Sequence, residues 1–174
     1  MKFVYILLTL AAFAASSFGQ IWFTNPANGH RYTLVSTQYW HEAEAQAVAL
    51  GGHLASINTQ QENDWVYNVV VDPITDLSVW IGLYQEPGSP EPAGGWKWLS
   101  GEPLVYTNWN DGEPNNGGGV EHFGEFFYQT GKWNDTSDQG LIPSQYGVVE
   151  VVPEPATIGI LGLGLAFIAK RRRR

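Results

Sequence analysis

The sequence predicts an α+β fold, and three observations predict it. Two stretches with helical spacing come first, short apolar or aromatic runs follow, and no strand–helix–strand succession links them. The later runs are separated by clusters of Gly, Pro and Asn, the residues that punctuate loops. A βαβ protein would instead alternate the two periods along its whole length.

Taken in order, Ile21-Trp22-Phe23, a polar turn from Asn25 to Gly29, and His30 to Val35 read as strand, turn and strand. From Gln38 to Leu50 the residues Trp40, Ala43, Ala47 and Leu50 recur every three or four positions, and Gly51-Gly52 supplies the stop. Thr59-Gln60-Gln61-Glu62 fits a capping box opening a second helix, whose apolar face continues through Val66, Val69 and Val70 until Pro73. Short strands are then expected at Val79–Tyr84, Trp96–Leu99, Phe123–Tyr128, Lys132–Trp133 and Tyr146–Val152. The loop region from Glu86 to Asn116 is long for a compact domain. Its Trp96, Trp98, Tyr106 and Trp109 argue for an ordered loop, because disordered segments are poor in aromatics.

Both ends read as addresses. Residues 1–19 carry Lys2, an apolar run from Phe3 to Ala15, and small residues Ser17 and Gly19 before Gln20, the grammar of a secretory signal peptide. A soluble core helix there would show a polar face, and the run has none. Residues 153–174 hold Pro153-Glu154-Pro155, an apolar stretch from Ala156 to Ala169, and the cations Lys170 to Arg174. The stretch would make about 21 Å of helix, short for a hydrocarbon core of about 30 Å. Its basic end would stay cytoplasmic. These parts in this order resemble a PEP-CTERM sorting signal, which implies a short membrane helix and processing by an exosortase-type enzyme; an ordinary C-terminal anchor is the other reading. Pro90-Glu91-Pro92 lacks the apolar run and basic tail and is read as a turn.

The central domain is then 20–152, where Arg31, Lys97 and Lys132 face sixteen acids, leaving it near −13. Nucleic acid is excluded as a partner, since phosphate binding needs clustered Lys and Arg. The chain has no cysteine, so disulfides, thiol catalysis and thiolate zinc sites are excluded with it.

The densest group of oxygen donors runs from Asn110 to Asn116, with Glu121 and Asn134-Asp135 beyond it. Calcium takes six to eight oxygen ligands, and Glu113, Asn115, Glu121, Asn134 and Asp135 would offer three carboxylates and two amides. With no His-rich or thiolate cluster, zinc and copper are disfavoured. By spacing alone the same residues also fit a solvated turn region.

The series Trp80-Ile-Gly-Leu83, Trp96-Lys-Trp98, Gly101, Asn108-Trp109, Glu113-Pro-Asn-Asn116, Glu121 and Gly131-Lys-Trp-Asn-Asp135 resembles that of C-type-lectin-like domains. The opening Trp40-His-Glu-Ala43, Leu50 to Ile57 with Glu62-Asn63, and the closing Tyr146 to Glu150 resemble the same family, so the match covers residues 30–151. The resemblance implies two helices flanking two small antiparallel sheets, with the long loop carrying a sugar site. It further implies that Glu113, Asn115, Glu121, Asn134 and Asp135 ligate Ca2+ and hydrogen-bond two vicinal sugar hydroxyls. In calcium-loaded members the peptide before the proline matching Pro114 is cis. The Glu-Pro-Asn order is associated with mannose- and glucose-type sugars. The family's cysteine positions appear here as Ala47 with Val149 and Phe123 with Asp138. The first pair reads as an apolar buried replacement, and the second implies a looser contact.

His30, His41, His53 and His122 are scattered, without metal or triad spacing, and His122 lies beside Glu121, within reach of a sugar. Ser56, Ser78, Ser100 and Ser144 lack a nucleophile-elbow context. A Glu113–Glu121 glycosidase pair would need one carboxyl free to act as acid, which calcium ligation forbids. The expected function is therefore not enzymatic: calcium-dependent binding of a glycan or exopolysaccharide by an exported protein. A structural matrix protein using the fold for protein contacts is the alternative, and Trp109 is the aromatic expected near the sugar.

Overall fold

Where extended runs of β-branched and aromatic residues alternate with turns, a computed structural model builds eight strands; it describes residues 20–138 and 146–153. Residues 1–19, where a signal peptide is expected, 139–145 and 154–174 lie outside the described residues. The order is β1 (Phe23–Thr24), β2 (Arg31–Ser36), α1 (Trp40–Ala49), β3 (His53–Leu54), α2 (Gln60–Trp65), β4 (Val79–Gln85), β5 (Trp96–Trp98), β6 (Phe123–Phe126), β7 (Trp133–Thr136) and β8 (Tyr146–Val151). No helix among the described residues is long and apolar enough to cross a membrane.

Helix α1 buries Trp40, Ala43 and Ala47, as its spacing requires, while Leu50 caps the helix and is 37% exposed instead of continuing the apolar stripe. Trp40 Nε1 donates to the Ile81 carbonyl (2.8 Å), so the indole is satisfied as it packs on β4. Thr59 caps α2 by accepting from the Glu62 amide (3.1 Å). The return contact of the expected capping box is displaced by one residue, with Glu62 Oε2 accepting from Asn58 N at 2.8 Å. Past Trp65 the chain widens into a π-helical segment, Val66–Val71. With more residues per turn, Val66, Val70 and Val71 face the core and Val69 is only partly covered.

The strands form a single eight-stranded sheet in the order β1-β2-β8-β4-β6-β7, with β3 added beside β8 and β5 beside β4. This corrects the expectation of two separate small sheets. Their junction is a short parallel contact, Val79↔Tyr146 and Trp80↔Gly147, between residues 67 positions apart, which no local pattern announces. The other strand pairs are antiparallel, and β8 runs the length of β2 from Arg31↔Val151 to Ser36↔Tyr146. Two apolar clusters flank this framework. One joins Tyr32, Ile57, Val66, Val70, Ile81, Trp98 and Trp133; the other joins Trp40, Ala47, Leu54, Trp80 and Val149. Each buried Trp removes about 150–250 Å² from water, so these indoles supply the packing that a disulfide would otherwise reinforce. Ala47 and Val149 are both fully buried in the second cluster, an apolar fit as expected. The other position pair is bridged differently. His41 stacks edge-on against Phe123 at 5.1 Å and its Nδ1 lies 3.0 Å from Asp138 Oδ1.

Candidate functional site

The long loop is ordered by its aromatics. Leu104, Tyr106 and Trp109 pack on the larger apolar cluster, and Trp109 lies edge-on to Trp96 (4.9 Å) and Trp133 (5.9 Å). Backbone bonds Trp133 N to Asn108 O and Asn110 N to Trp133 O, each 2.8 Å, tie the loop to β7. Trp109 is thus an anchor of the loop. The next residues, 110–121, turn back over the same strand.

Asp135, completely buried on β7, organises that turn. Its two oxygens accept from Asn115 N at 3.0 and 3.1 Å, and Oδ2 also accepts from Asn116 N at 2.8 Å. Glu121, 3% exposed, accepts from the Gly117 amide through Oε2. Asn116 closes the turn: it sits at φ +50 and its side-chain oxygen accepts from Glu121 N at 3.1 Å. A left-handed conformation is tolerated by Asn better than by most side chains. The Glu113–Pro114 peptide is cis.

The electrostatics of the group are unfavourable for three anions. Burial, a hydrogen bond and charge from Asp135, and the charge of Glu121 push the Glu113 carboxyl up to about 7. Glu121 is also raised above the usual carboxylate range, first by burial and then by Asp135, with the Gly117 amide opposing. Glu113 Oε2 is buried and has no hydrogen-bond partner. A partnerless buried carboxylate oxygen among crowded carboxylates is costly unless a cation completes it. The donors here are oxygens throughout, which suits a hard cation such as calcium.

Of the five residues singled out in the sequence, Glu113, Asn115, Glu121 and Asp135 are joined in this network. Asn134 lies next to Asp135 on β7, and its Nδ2 donates to Glu125 Oε1 at 3.2 Å. Gly117 and Glu125 are additions the sequence did not single out, and Asn116, present in the donor run, was not among the five expected ligands. At the start of the turn, Lys132 Nζ pairs with Asp111 (2.9 Å) and holds that exposed carboxyl below its usual range.

The scattered histidines acquire partners that sequence distance concealed. His53 meets Glu44 (2.7 Å), His122 meets the Gln85 amide oxygen (3.0 Å), and His30 meets Glu150 (2.6 Å). His30, Glu62 and Glu150 form a second cluster whose ligand atoms lie within 4.8 Å of one another. The Tyr32 hydroxyl donates to both carboxylates, at 2.7 and 2.9 Å, and Ser56 N donates to Glu150. Burial raises Glu150 above the usual range, opposed by Ser56, His30 and Tyr32.

Comparison with known proteins places this geometry in a family. Residues 36–143 match the Lectin C-type domain, and residues 151–174 match the PEP-CTERM protein-sorting motif. A C-type lectin of Micrurus corallinus is 32% identical over 150 residues, covering 80% of this chain and 92% of its own. A perlucin-like protein of Mytilus galloprovincialis is 31% identical over 99 residues, and this chain spans only 60% of its length. Among solved structures, the carbohydrate-recognition domain of cow CD23, determined in the presence of a GlcNAc2Man3 oligosaccharide, superposes with a TM-score of 0.59. It is 27% identical, covering 72% of this chain and 90% of the other. The chain belongs to the C-type lectin domain family and ends in a PEP-CTERM protein-sorting motif, the mark of an exported protein.

Proposed function

We propose that the chain is a non-catalytic, calcium-dependent carbohydrate-binding protein. Glu113, Asn115, Glu121, Asn134 and Asp135 would hold one calcium ion and orient it toward two neighbouring hydroxyls of a mannose- or glucose-type glycan or exopolysaccharide. The observation that carries the reading is the convergence of Glu113, Glu121 and Asp135, with Glu113 Oε2 buried and partnerless. Calcium supplies the charge that lets all three carboxylates ionise together and offers open coordination to hydroxyl oxygens. Carboxylate oxygens accept the hydroxyl protons, and amide NH₂ groups donate to the hydroxyl lone pairs. The relative determined in the presence of a mannose-containing oligosaccharide supports the sugar class. We also propose that residues 1–19 are removed on export, that 20–152 form the binding domain, and that 153–174 hold it at the membrane until an exosortase-type enzyme acts.

The test is glycan-array binding of the full-length chain with calcium and with excess EGTA. Binding to mannose- or glucose-type glycans that disappears in EGTA is the expected result. Binding that survives EGTA, or none to any such glycan, overturns the reading.

A further inference from the structure

A groove of about 700 Å³ lies between α1 and the chain leaving β4. Its walls include Trp40, Tyr84, Leu99 and Phe123, with the Trp40 ring 4.8 Å from Phe123 and 6.2 Å from Tyr84. Its rim carries Glu86 and Glu91, and no Lys or Arg lines it. Lys97 Nζ donates to Glu86 Oε2 and Gln85 Nε2 donates to Glu91 Oε2, so each carboxylate keeps a second oxygen. Glu91 Oε1 lies 3.8 Å from His122 Nδ1, beyond hydrogen-bond length.

We propose that this groove is a second, calcium-independent site for an oligosaccharide of amino sugars bearing free ammonium groups. The size is that of a small-ligand cavity, and its aromatic walls suit the apolar C–H face of a pyranose ring. An ammonium group beside that face is attracted both by the rings and by the rim carboxylates. The domain's charge, near −13, adds long-range attraction for a polycation. A peptide docking as an added strand needs free backbone groups. Along this wall Gln85 N, Glu86 N and Leu99 N already donate to His122, Gly95 and Gly82. Recognition therefore falls to side chains, and rings flanked by carboxylates describe an amino sugar better than an extended peptide.

Titration calorimetry of the full-length chain in excess EGTA tests this, with a glucosamine tetramer, its fully N-acetylated counterpart and tetralysine as probes. The glucosamine tetramer is expected to bind at least about tenfold tighter than the other two. Glu86→Gln with Glu91→Gln should weaken it by a similar factor, Tyr84→Leu should weaken it with both carboxylates present, and Glu113→Gln should leave it unchanged. Equal binding of the acetylated tetramer, or unaltered binding by the double variant, overturns the proposal. Tetralysine binding as tightly as the sugar also overturns it and assigns the groove to basic peptides. Each result is read without calcium, so failure here leaves the loop-site test, read in calcium, independent.

Discussion

Three carboxylates share the small turn over β7, and backbone amides from Asn115, Asn116 and Gly117 hold two of them in place. Amides orient these anions without neutralising them, which leaves the charge for a ligand to balance. Asp135→Asn and Glu113→Gln are each expected to weaken calcium binding by about tenfold or more. For the wild type, calcium at a hundred times its Kd should stabilise by about 2.7 kcal/mol, visible as a rise in Tm that the Asp135→Asn protein lacks. The Glu113 carboxyl, at about 7 in the fold against an ordinary 4.5, gives a pH dependence of definite sign. The metal-free fold holds a proton that the unfolded chain has released, so its stability from this group falls as pH rises from about 4.5 to about 7. On the proposed function calcium would displace that proton, so its affinity should weaken as pH drops below about 7, measurable by calorimetry at pH 5.5, 6.5 and 7.5. The carboxylates were legible in the sequence because oxygen donors are dense there. Asn116 stood in that run too, but its role was not legible, since it is a backbone conformation (φ +50) and a hydrogen bond accepted from Glu121 N.

Elements position these groups through a few close approaches. At Gly82 on β4 an added Cβ would collide with the Leu54 carbonyl, and Gly82 N donates to Ala55 O at 2.9 Å. Gly82→Ala should therefore push β4 from the β3 segment and cost about 1–3 kcal/mol, read from the denaturant midpoint. At Gly117 an added Cβ would meet Glu121 Oε2 at 2.8 Å, a flexible side-chain end. Gly117→Ala is expected to weaken calcium binding while leaving the metal-free Tm within about 2 °C of wild type. Helix α1 was readable because Trp40, Ala43 and Ala47 share one face of a regular helix. The second helix was readable through Val66 and Val70, both buried as expected, but the π-helical segment shifts the period, so Val71 is buried and Val69 is only partly covered. The histidine contacts were invisible for another reason: His30 and Glu150 are 120 residues apart.

Across the whole molecule, two halves meet at one strand. Strand β8 lies between β2 and β4 and also carries β3 at its far end. Ala47 on α1 and Val149 on β8 lie in the same buried cluster, at the positions that the sequence resemblance assigns to a cysteine pair. Ala47→Cys with Val149→Cys should form a disulfide closing about a hundred residues, worth roughly 4.7 kcal/mol by loop entropy. Its check is a higher Tm for the oxidised protein, reversed by reductant. The α+β class and the family followed from markers spread along the chain, whereas the continuous sheet rests on two paired residues from distant segments.

The position of β8 also fixes when folding can finish. A chain emerging from its N-terminus makes β1 to β7 first, yet the sheet cannot join until residues 146–151 arrive. The sorting motif begins at residue 151, inside the strand's last position. The last residue of the closing strand is thereby the first of the sorting motif, and a chain stopped short of residue 146 has neither a closed sheet nor a tag.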